Sequence, residues 1–145
     1  MILHQHDLTL RSITGPDELD LFNSWPYVLN DEVGGDLAAG RRHPEWLWLA
    51  LRGDRVVARA GWWSRAGDRY PLLMDIFDFG GDAGDGVRLL KTALPAVVPA
   101  HATPAEYCRF LPADWRDRRD SRQWSSNGYL VRFKRLQPFQ TAPNG

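Results

Sequence analysis

The chain has 145 residues, of which 43% are hydrophobic and 25% are charged, a composition that is ordinary for a globular protein. This length is sufficient for one domain with a sizeable core. The formal net charge is zero, which argues against nucleic acid or an anionic membrane as a partner. The single cysteine, Cys108, excludes an intrachain disulfide and a cysteine-based metal cluster. The N-terminus does not resemble a signal peptide, and no apolar run is long enough to span a membrane, so the expected location is cytoplasmic.

The first third of the chain predicts a strand followed by two helical pieces. Residues 8–13 alternate apolar and polar side chains, which is typical of a half-buried strand. Pro16 suits the first turn of a helix, and Pro26 predicts that the helical region is broken into two pieces. Residues 30–43 are polar and contain glycine, which indicates a short helix followed by a loop.

The middle of the chain predicts three strands. Residues 46–51 and 56–63 are apolar runs separated by Gly53-Asp54, a typical hairpin turn. Residues 72–79 form the next strand, and their nearly continuous apolar character favours a central position in the sheet.

The last third predicts a helix over residues 86–98, with Pro95 as a point where it ends or kinks. A strand over residues 106–111, a charged helix that ends near Gly128, and a strand over residues 129–136 follow. The element order β-α-β-β-β-α-β-α-β indicates one α/β domain over residues 1–145. We expect a mixed sheet of about six strands with helices on both faces. Both ends, residues 1–7 and 138–145, are expected to be frayed.

The most informative segment is the glycine-rich loop that connects the strand at 72–79 to the following helix. Glycine lets the backbone approach a ligand closely, and a helix N-terminus offers free N–H groups to an anion. The segment is therefore built like a phosphate cradle. Its carboxylates, Asp82 and Asp85, would repel a phosphate, however, and no basic residue follows until Arg88. A turn that binds no ligand is the alternative explanation of the glycines. They are Gly80, Gly81, Gly84 and Gly86.

The element order and this loop resemble the GNAT superfamily of N-acetyltransferases, from residue 8 to about residue 139. In that family the loop after the fourth strand reads Gln/Arg-x-x-Gly-x-Gly/Ala and binds the pyrophosphate of acetyl-CoA. The segment Gly81-Asp82-Ala83-Gly84-Asp85-Gly86 aligns with this pattern. Gly84 and Gly86 match, and Gly81 replaces the basic or amide residue.

A second resemblance lies near the C-terminus, where the family pattern is Tyr-x-x-x-Gly-Phe and the tyrosine often protonates the departing CoA thiolate. Here Gly128 matches, Tyr129 replaces the phenylalanine, and Trp124 stands at the position of the acid. An indole N–H is not a usable general acid. Residues 17–63 are also similar to the N-terminal half of tandem GNAT proteins of actinobacteria. This similarity implies a second GNAT domain, or a second copy in a homodimer, as a partner.

The resemblance implies acetyl-CoA or another acyl-CoA as co-substrate and a small-molecule amine as acceptor. It places the pantetheine and the pyrophosphate against backbone between the end of the strand and the start of the helix. The residues expected to bind the cofactor are Ile76, Phe77, Asp78, Gly81, Gly84, Gly86 and Val87.

Acyl transfer to an amine needs a base or a water path that takes the proton of the amine. The candidate bases are Asp75, Asp78 and Glu106, and Tyr107 is a candidate proton donor to the thiolate. Asp75 and Asp78 are three residues apart, so a regular strand would place them on opposite faces, and both can serve one site only if the strand contains a bulge. For a carboxylate in so apolar a run, an ion pair with Arg59 or Arg109 is the alternative role.

Two functions remain open at this stage. The first is a GNAT-like N-acyltransferase that acts on a small-molecule amine, which the retained glycines favour. The second is a catalytically inactive GNAT-like module that binds a small molecule or a partner domain through a Trp-rich surface, which Gly81 and Trp124 favour. No metal site is expected, because His4 and His6 lack a third ligand at suitable spacing.

Overall fold

The computed structural model describes residues 3–5 and 7–110, with side chains from residue 7 onward. Six strands of this region form one mixed sheet in the order β1-β2-β3-β4-β5-β6. Neighbouring strands are antiparallel except β5 and β6, which are parallel. The strands are β1 (Leu3–Gln5), β2 (Leu8–Ser12), β3 (Leu47–Arg52), β4 (Arg55–Trp63), β5 (Leu73–Phe79) and β6 (Glu106–Tyr107).

Within residues 7–110, three α-helices accompany the sheet: α1 (Leu19–Phe22), α2 (Asn30–Ala39) and α3 (Ala83–Val97). Short 3-10 turns at Pro16–Glu18 and Pro44–Trp46 precede α1 and β3. The first helical region ends at Phe22, four residues before Pro26, and residues 23–29 contain no second helical piece. Helix α2 lies within residues 30–43, where a short helix was expected. No helix of the described region is long and apolar enough to cross a membrane.

The sheet is covered by helices on both faces, as expected. One core contains residues of α3 together with Trp62 and Met74, and the other contains Phe22 and Val33 from α1 and α2. Strand β3 contributes alternately to both cores, with Leu49 in one and Ala50 in the other. A strand that is buried on both faces is apolar throughout, which explains the run at residues 46–51.

Helix α3 begins three residues earlier than its sequence pattern predicted. The side chain of Asp82 accepts a hydrogen bond from the N–H of Gly84 at 2.8 Å and so caps the helix. At the other end, α3 continues through Pro95 to Val97. Pro95 donates no N–H to the helix, and α3 ends two residues after it.

A β-bulge in β5 changes which side chains share a face. Gly61 pairs with Ile76 while Trp62 pairs with Met74, so Asp75 is an extra residue relative to β4. An extra residue shifts the alternation of side chains by one position. A regular strand would place Asp75 and Asp78 on opposite faces, but the bulge brings both carboxylates to the α1–α2 side, where Asp75 binds arginine from beyond α2 and Asp78 binds arginine from β4.

Strands β5 and β6 separate soon after they meet. Their pairing covers Leu73 with Glu106 and Met74 with Tyr107, and the N–H of Cys108 donates to the Met74 carbonyl at 3.0 Å. Beyond Met74, no strand of the described region pairs with β5 on this side. The predicted strand at 106–111 is thus two residues long among the described residues.

One further expectation differs from the structure, and other predictions fall on residues outside the described region. Residues 3–5 of the N-terminal segment expected to fray form β1 against β2. The charged helix, the strand at 129–136 and the positions of Trp124, Gly128 and Tyr129 lie outside the described residues.

Candidate functional site

The glycine-rich loop lies at the end of β5, directly before α3. The N–H of Gly80 donates to the Val57 carbonyl at 3.0 Å, which joins the loop to β4. None of the described residues accepts a hydrogen bond from the N–H groups of Gly81, Asp82 or Ala83. These groups lie at the N-terminus of a 15-residue helix and are available to an anion.

An open pocket of about 330 Å³ adjoins this loop. It lies between the loop, the β3–β4 hairpin and the segment that connects α1 to α2. Its walls combine an aromatic ring, two arginines, backbone of the loop and two carboxylates. The lining residues are Trp25, Arg52, Arg55, Val56, Val57, Gly80, Gly81, Asp82 and Asp85.

The two carboxylates of the loop are already engaged. Arg52 binds Asp85 at 2.8 Å and Arg88 approaches it at 3.6 Å, while an oxygen of Asp82 serves as the helix cap. Arg55 is exposed at the same pocket and pairs with no carboxylate of the described region. The repulsion expected from the sequence is therefore reduced by arginines about 30 residues upstream. A signal for them existed, because a hairpin turn before β4 must lie beside the end of its antiparallel neighbour β5.

The predicted cofactor residues have different roles in the structure. Gly81 lines the pocket, and a Cβ added there would meet nothing within 4 Å. A Cβ on Gly86 would lie 3.1 Å from ring atoms of Phe77 and Phe79, so this glycine permits close packing of α3 on β5. Gly84 donates its N–H to the cap, and Val87 is exposed. Ile76 is a core residue of the α1–α2 side.

A buried ion network holds the carboxylate of Asp75. Both of its oxygens accept hydrogen bonds from Arg42 at 2.8 Å, and Arg42 also binds Asp36 of α2 at 3.0 Å. Arg41 binds the second oxygen of Asp36 at 2.8 Å. This set of four residues, here called the Asp75 network, contains two carboxylates and two guanidinium groups. Burial raises the pKa of Asp75, and Arg42 opposes that change.

A second group, here called the Asp78 cluster, consists of Arg59, Asp78 and Arg109. One oxygen of Asp78 accepts from Arg59 at 2.8 Å and the other from Arg109 at 2.9 Å. All three residues are at most 5% exposed. Arg59 also donates to the Phe22 carbonyl at 2.8 Å. The ion pair that the sequence offered as an alternative role for an aspartate on this strand is present at Asp78, with both arginines.

Tyr27 lies over the Asp78 cluster. The Cζ atoms of Arg109 and Arg59 are 3.9 Å and 5.9 Å from the centre of its ring. Its hydroxyl donates to the Asp75 carbonyl at 2.9 Å and accepts from the N–H of Phe110 at 2.9 Å. Burial raises the pKa of Tyr27. Burial also lowers the pKa of Arg59, with Arg109 adding to that effect and Asp78 opposing it.

The four predicted catalytic residues are not brought together. Asp75 and Asp78 lie on the α1–α2 side, whereas Tyr107 packs against Phe77 in the core of the α3 side. Burial raises the pKa of Tyr107 to about 12. Glu106 is exposed. Arg42 and Tyr27, which contact these aspartates, were not singled out by the sequence reasoning because their partners are distant in the chain.

Among the described residues, no group of three or more His, Cys, Asp or Glu side chains is arranged to hold a metal ion. Comparison of the chain with family models, with curated proteins and with solved structures found no match.

Proposed function

We propose that this chain is a GNAT-like protein that binds an acyl-CoA and transfers its acyl group to the amine of a small molecule. The observation that carries this proposal is that the parallel strands β5 and β6 cease to pair after Met74 and Tyr107 within the described residues, on the strand that leads into the glycine-rich loop. A gap between parallel strands that adjoins a helix N-terminus suits a thioester with a long arm and a phosphate at its end.

The order of elements supports the same proposal. The described residues run strand, two helices, three antiparallel strands, helix and parallel strand after β1. This is the order expected for a GNAT-like fold through its fifth strand. The bulge at Asp75 turns the following backbone of β5, and past Met74 that edge of β5 has no paired strand in the described region. In this proposal the backbone from Ile76 to Asp78 orients the amides of a pantetheine.

In this proposal the phosphates lie at the pocket beside α3. The N–H groups of Gly81, Asp82 and Ala83 supply donors, and Arg55 supplies a positive charge. In the reaction, the amine nitrogen attacks the thioester carbonyl, the new C–N bond forms, and the C–S bond breaks. The proton of the amine passes to water, and the thiolate leaves as CoA. A thiol has a pKa near 8–9, so the thiolate leaves without a dedicated acid.

Calorimetry with acetyl-CoA and with desulfo-CoA tests the binding step. Arg55→Met should weaken binding about threefold to tenfold, because it removes a charge that interacts with phosphate. Arg65→Met is the matched control, since Arg65 is exposed on a turn and does not line the pocket. Equal affinity of the two variants, or no binding by the wild type, would refute this placement of the phosphates.

Gly81→Arg supplies a gain-of-function test. The position has free space around a Cβ, and the new guanidinium would add a charge-assisted contact worth about tenfold in affinity. Gly86→Arg is the contrasting variant, because that glycine is packed against Phe77 and Phe79. We expect it to lower stability without improving binding.

A catalytically inactive binding module is the second candidate, and the ion pairs of Asp75 and Asp78 favour it. Because both carboxylates are held by arginines, neither is a free general base. Release of free thiol from acetyl-CoA, measured over a panel of amines, separates the two candidates. Tight CoA binding without amine-dependent thiol release would support the inactive module.

A further inference from the structure

The Asp78 cluster lies where β5 and β6 separate. Asp78 is four residues beyond Met74, the last residue of β5 that pairs with β6. Arg109 is two residues beyond the end of β6, and it bridges the gap by donating to the Phe77 carbonyl at 3.4 Å and to Asp78 at 2.9 Å. Arg59 reaches the same point from β4, where it pairs with Asp78 in register. The cluster is therefore next to the position proposed for the thioester.

Arg59 is not fully satisfied by the residues around it. Its Nε binds Asp78 and its Nη1 binds the Phe22 carbonyl, whereas its Nη2 is buried and has no acceptor among the described residues. The whole side chain is 0% exposed. A buried guanidinium N–H without an acceptor costs free energy, and a carboxylate is the group whose geometry matches a guanidinium edge best.

On the same face of the sheet, the Asp75 network has one carboxylate for each of its two arginines. In the Asp75 network, Asp75 binds Arg42 with both oxygens and Asp36 binds both Arg41 and Arg42. In the Asp78 cluster, each oxygen of a single carboxylate serves a different arginine. Arg59 therefore shares its carboxylate and still has an N–H to donate.

One aromatic side chain covers this site. Tyr27 is half-buried, stands on the segment between α1 and α2, and has its ring over both arginines. It is held by two hydrogen bonds of its hydroxyl, to the Asp75 carbonyl and from the N–H of Phe110. Because Tyr27 lies outside every helix and strand of the described region, we expect ligand entry to require movement of this side chain and not of a helix or strand.

We infer that the Asp78 cluster binds the carboxylate of a small ligand and, resting on the proposed function, that the acyl acceptor is an amine that carries a carboxylate. The ligand carboxylate accepts from Nη2 of Arg59, and Asp78 keeps both arginines in place. An amino acid is the simplest member of this class. The amine would extend from the cluster into the gap between β5 and β6.

The test is binding to the protein in the absence of CoA, measured by calorimetry and by NMR of the arginine Nε–H resonances. The probes are glycine, β-alanine and 4-aminobutyrate, each compared with its amide. We expect at least one carboxylate to bind and to shift the Arg59 resonance, and its amide to bind at least about tenfold more weakly. Equal binding of acid and amide, or no binding of any acid, would overturn the inference.

Two variants assign the effect to Arg59. Arg59→Lys keeps the positive charge but removes the Nη2 donor, and should weaken carboxylate binding about tenfold or more. Arg42→Lys makes the same change at a buried arginine of the Asp75 network, and should leave carboxylate affinity unchanged. Where Arg59→Lys does not fold, Tyr27→Phe tests the site instead, since release of the cover should raise the rate of carboxylate binding. Unchanged affinity in Arg59→Lys, or an unchanged rate in Tyr27→Phe, would contradict the inference.

A carboxylate of the chain itself is the other possible source of this chemistry. The sequence after residue 110 contains Asp114, Asp117 and Asp120. If one of them occupied the site, free carboxylates would bind the triple Asp→Asn variant but not the wild type, and the proposed ligand site would be refuted. Equal binding by both proteins supports a ligand from solution. Because CoA is not present, these outcomes are independent of whether the pocket beside α3 binds CoA.

Discussion

The Asp75 network and the Asp78 cluster lie on the same face of β5, three residues apart, yet they satisfy their charges differently. In the first, two guanidinium groups meet two carboxylates, and Arg42 fills both oxygens of Asp75. In the second, two guanidinium groups share one carboxylate, and Arg59 has a buried N–H without an acceptor among the described residues. Complete pairing is typical of a network that holds a fold together. A buried donor without an acceptor needs an explanation, and the proposed ligand carboxylate supplies the acceptor.

The largest effect is expected from Arg42→Met. It leaves the Asp75 carboxylate buried without its partner, which should lower the free energy of unfolding by about 3–5 kcal/mol. Arg41→Met is the control, because Arg41 is 39% exposed and Asp36 keeps Arg42; it should cost about 1 kcal/mol or less. Urea denaturation at pH 7 measures both. Similar costs for the two variants would show that Arg42 does not hold the Asp75 network together.

The next effect concerns Tyr27, which contacts both groups. Tyr27→Phe removes the hydroxyl that bonds to the Asp75 carbonyl and the N–H of Phe110, and should cost about 1–2 kcal/mol. Tyr70→Phe is the matched control, because its hydroxyl binds His101 at an exposed position. Urea denaturation should show that Tyr70→Phe costs much less. A loss in Tyr27→Phe no larger than in the control would mean that the hydroxyl does not tie these segments together.

A smaller effect is expected from Arg109→Met, although Arg109 is as buried as Arg42 is. Asp78 keeps its ion pair with Arg59 after this change, so the Asp78 carboxylate is not left alone. The free energy of unfolding should fall by about 1 kcal/mol or less, in contrast to 3–5 kcal/mol for Arg42→Met. The same urea titrations provide the measurement. A loss as large as that of Arg42→Met would remove the distinction between the two groups.

The smallest effect belongs to an ion pair outside both groups, and it sets the reference for a solvated pair. The Nη1 and Nη2 atoms of Arg11 donate to the two carboxylate oxygens of Glu18 at 2.7 and 2.8 Å, and the N–H of Thr14 donates a third hydrogen bond to this carboxylate. The hydrogen bond from Arg11 is the main cause that lowers the pKa of Glu18 to about 2. A lowered pKa in the folded state contributes stability that is present above the unfolded pKa and is lost as pH falls toward 2.

This pH dependence is testable with Glu18→Gln and Arg11→Met. Because the pair is partly solvated, each variant should lose about 1 kcal/mol or less at pH 7. Denaturation from pH 7 to pH 2 should show the wild type and the variants converging between about pH 5 and pH 2. A constant difference over that range would show that Glu18 does not titrate in this interval.

The sequence predicted the elements of the described region well and their ends less well. The hairpin turn at Gly53-Asp54 and the strand at 72–79 follow from local chemistry, since turn residues and apolar runs act within a few positions. Helix α3 begins earlier than predicted because Asp82 caps it, whereas Gly84 and Gly86 are poor helix formers and favour a later start in the sequence pattern. The order of strands and the parallel pairing of β6 depend on long-range contacts.

The candidate site was predictable only in part. The sequence identified Asp75, Asp78 and the glycine-rich loop, because carboxylates in an apolar strand and glycines before a helix are locally conspicuous. It placed the aspartates on opposite faces, since a regular strand alternates and a bulge has no clear local signature. Arg52 and Arg55 were missed at the pocket because only the pairing of β4 with β5 brings the hairpin to the loop.

The sequence by itself determined which segments form strands and helices, because periodicity, turn residues and proline act over neighbouring positions. The tertiary structure alone decided which charges meet. A single extra residue at Asp75 turned two carboxylates to one face, and the contacts of that face assigned Arg42 to one carboxylate and Arg59 with Arg109 to the other. These choices depend on residues 19 to 33 positions apart in the chain, and only the folded sheet brings them within 3 Å.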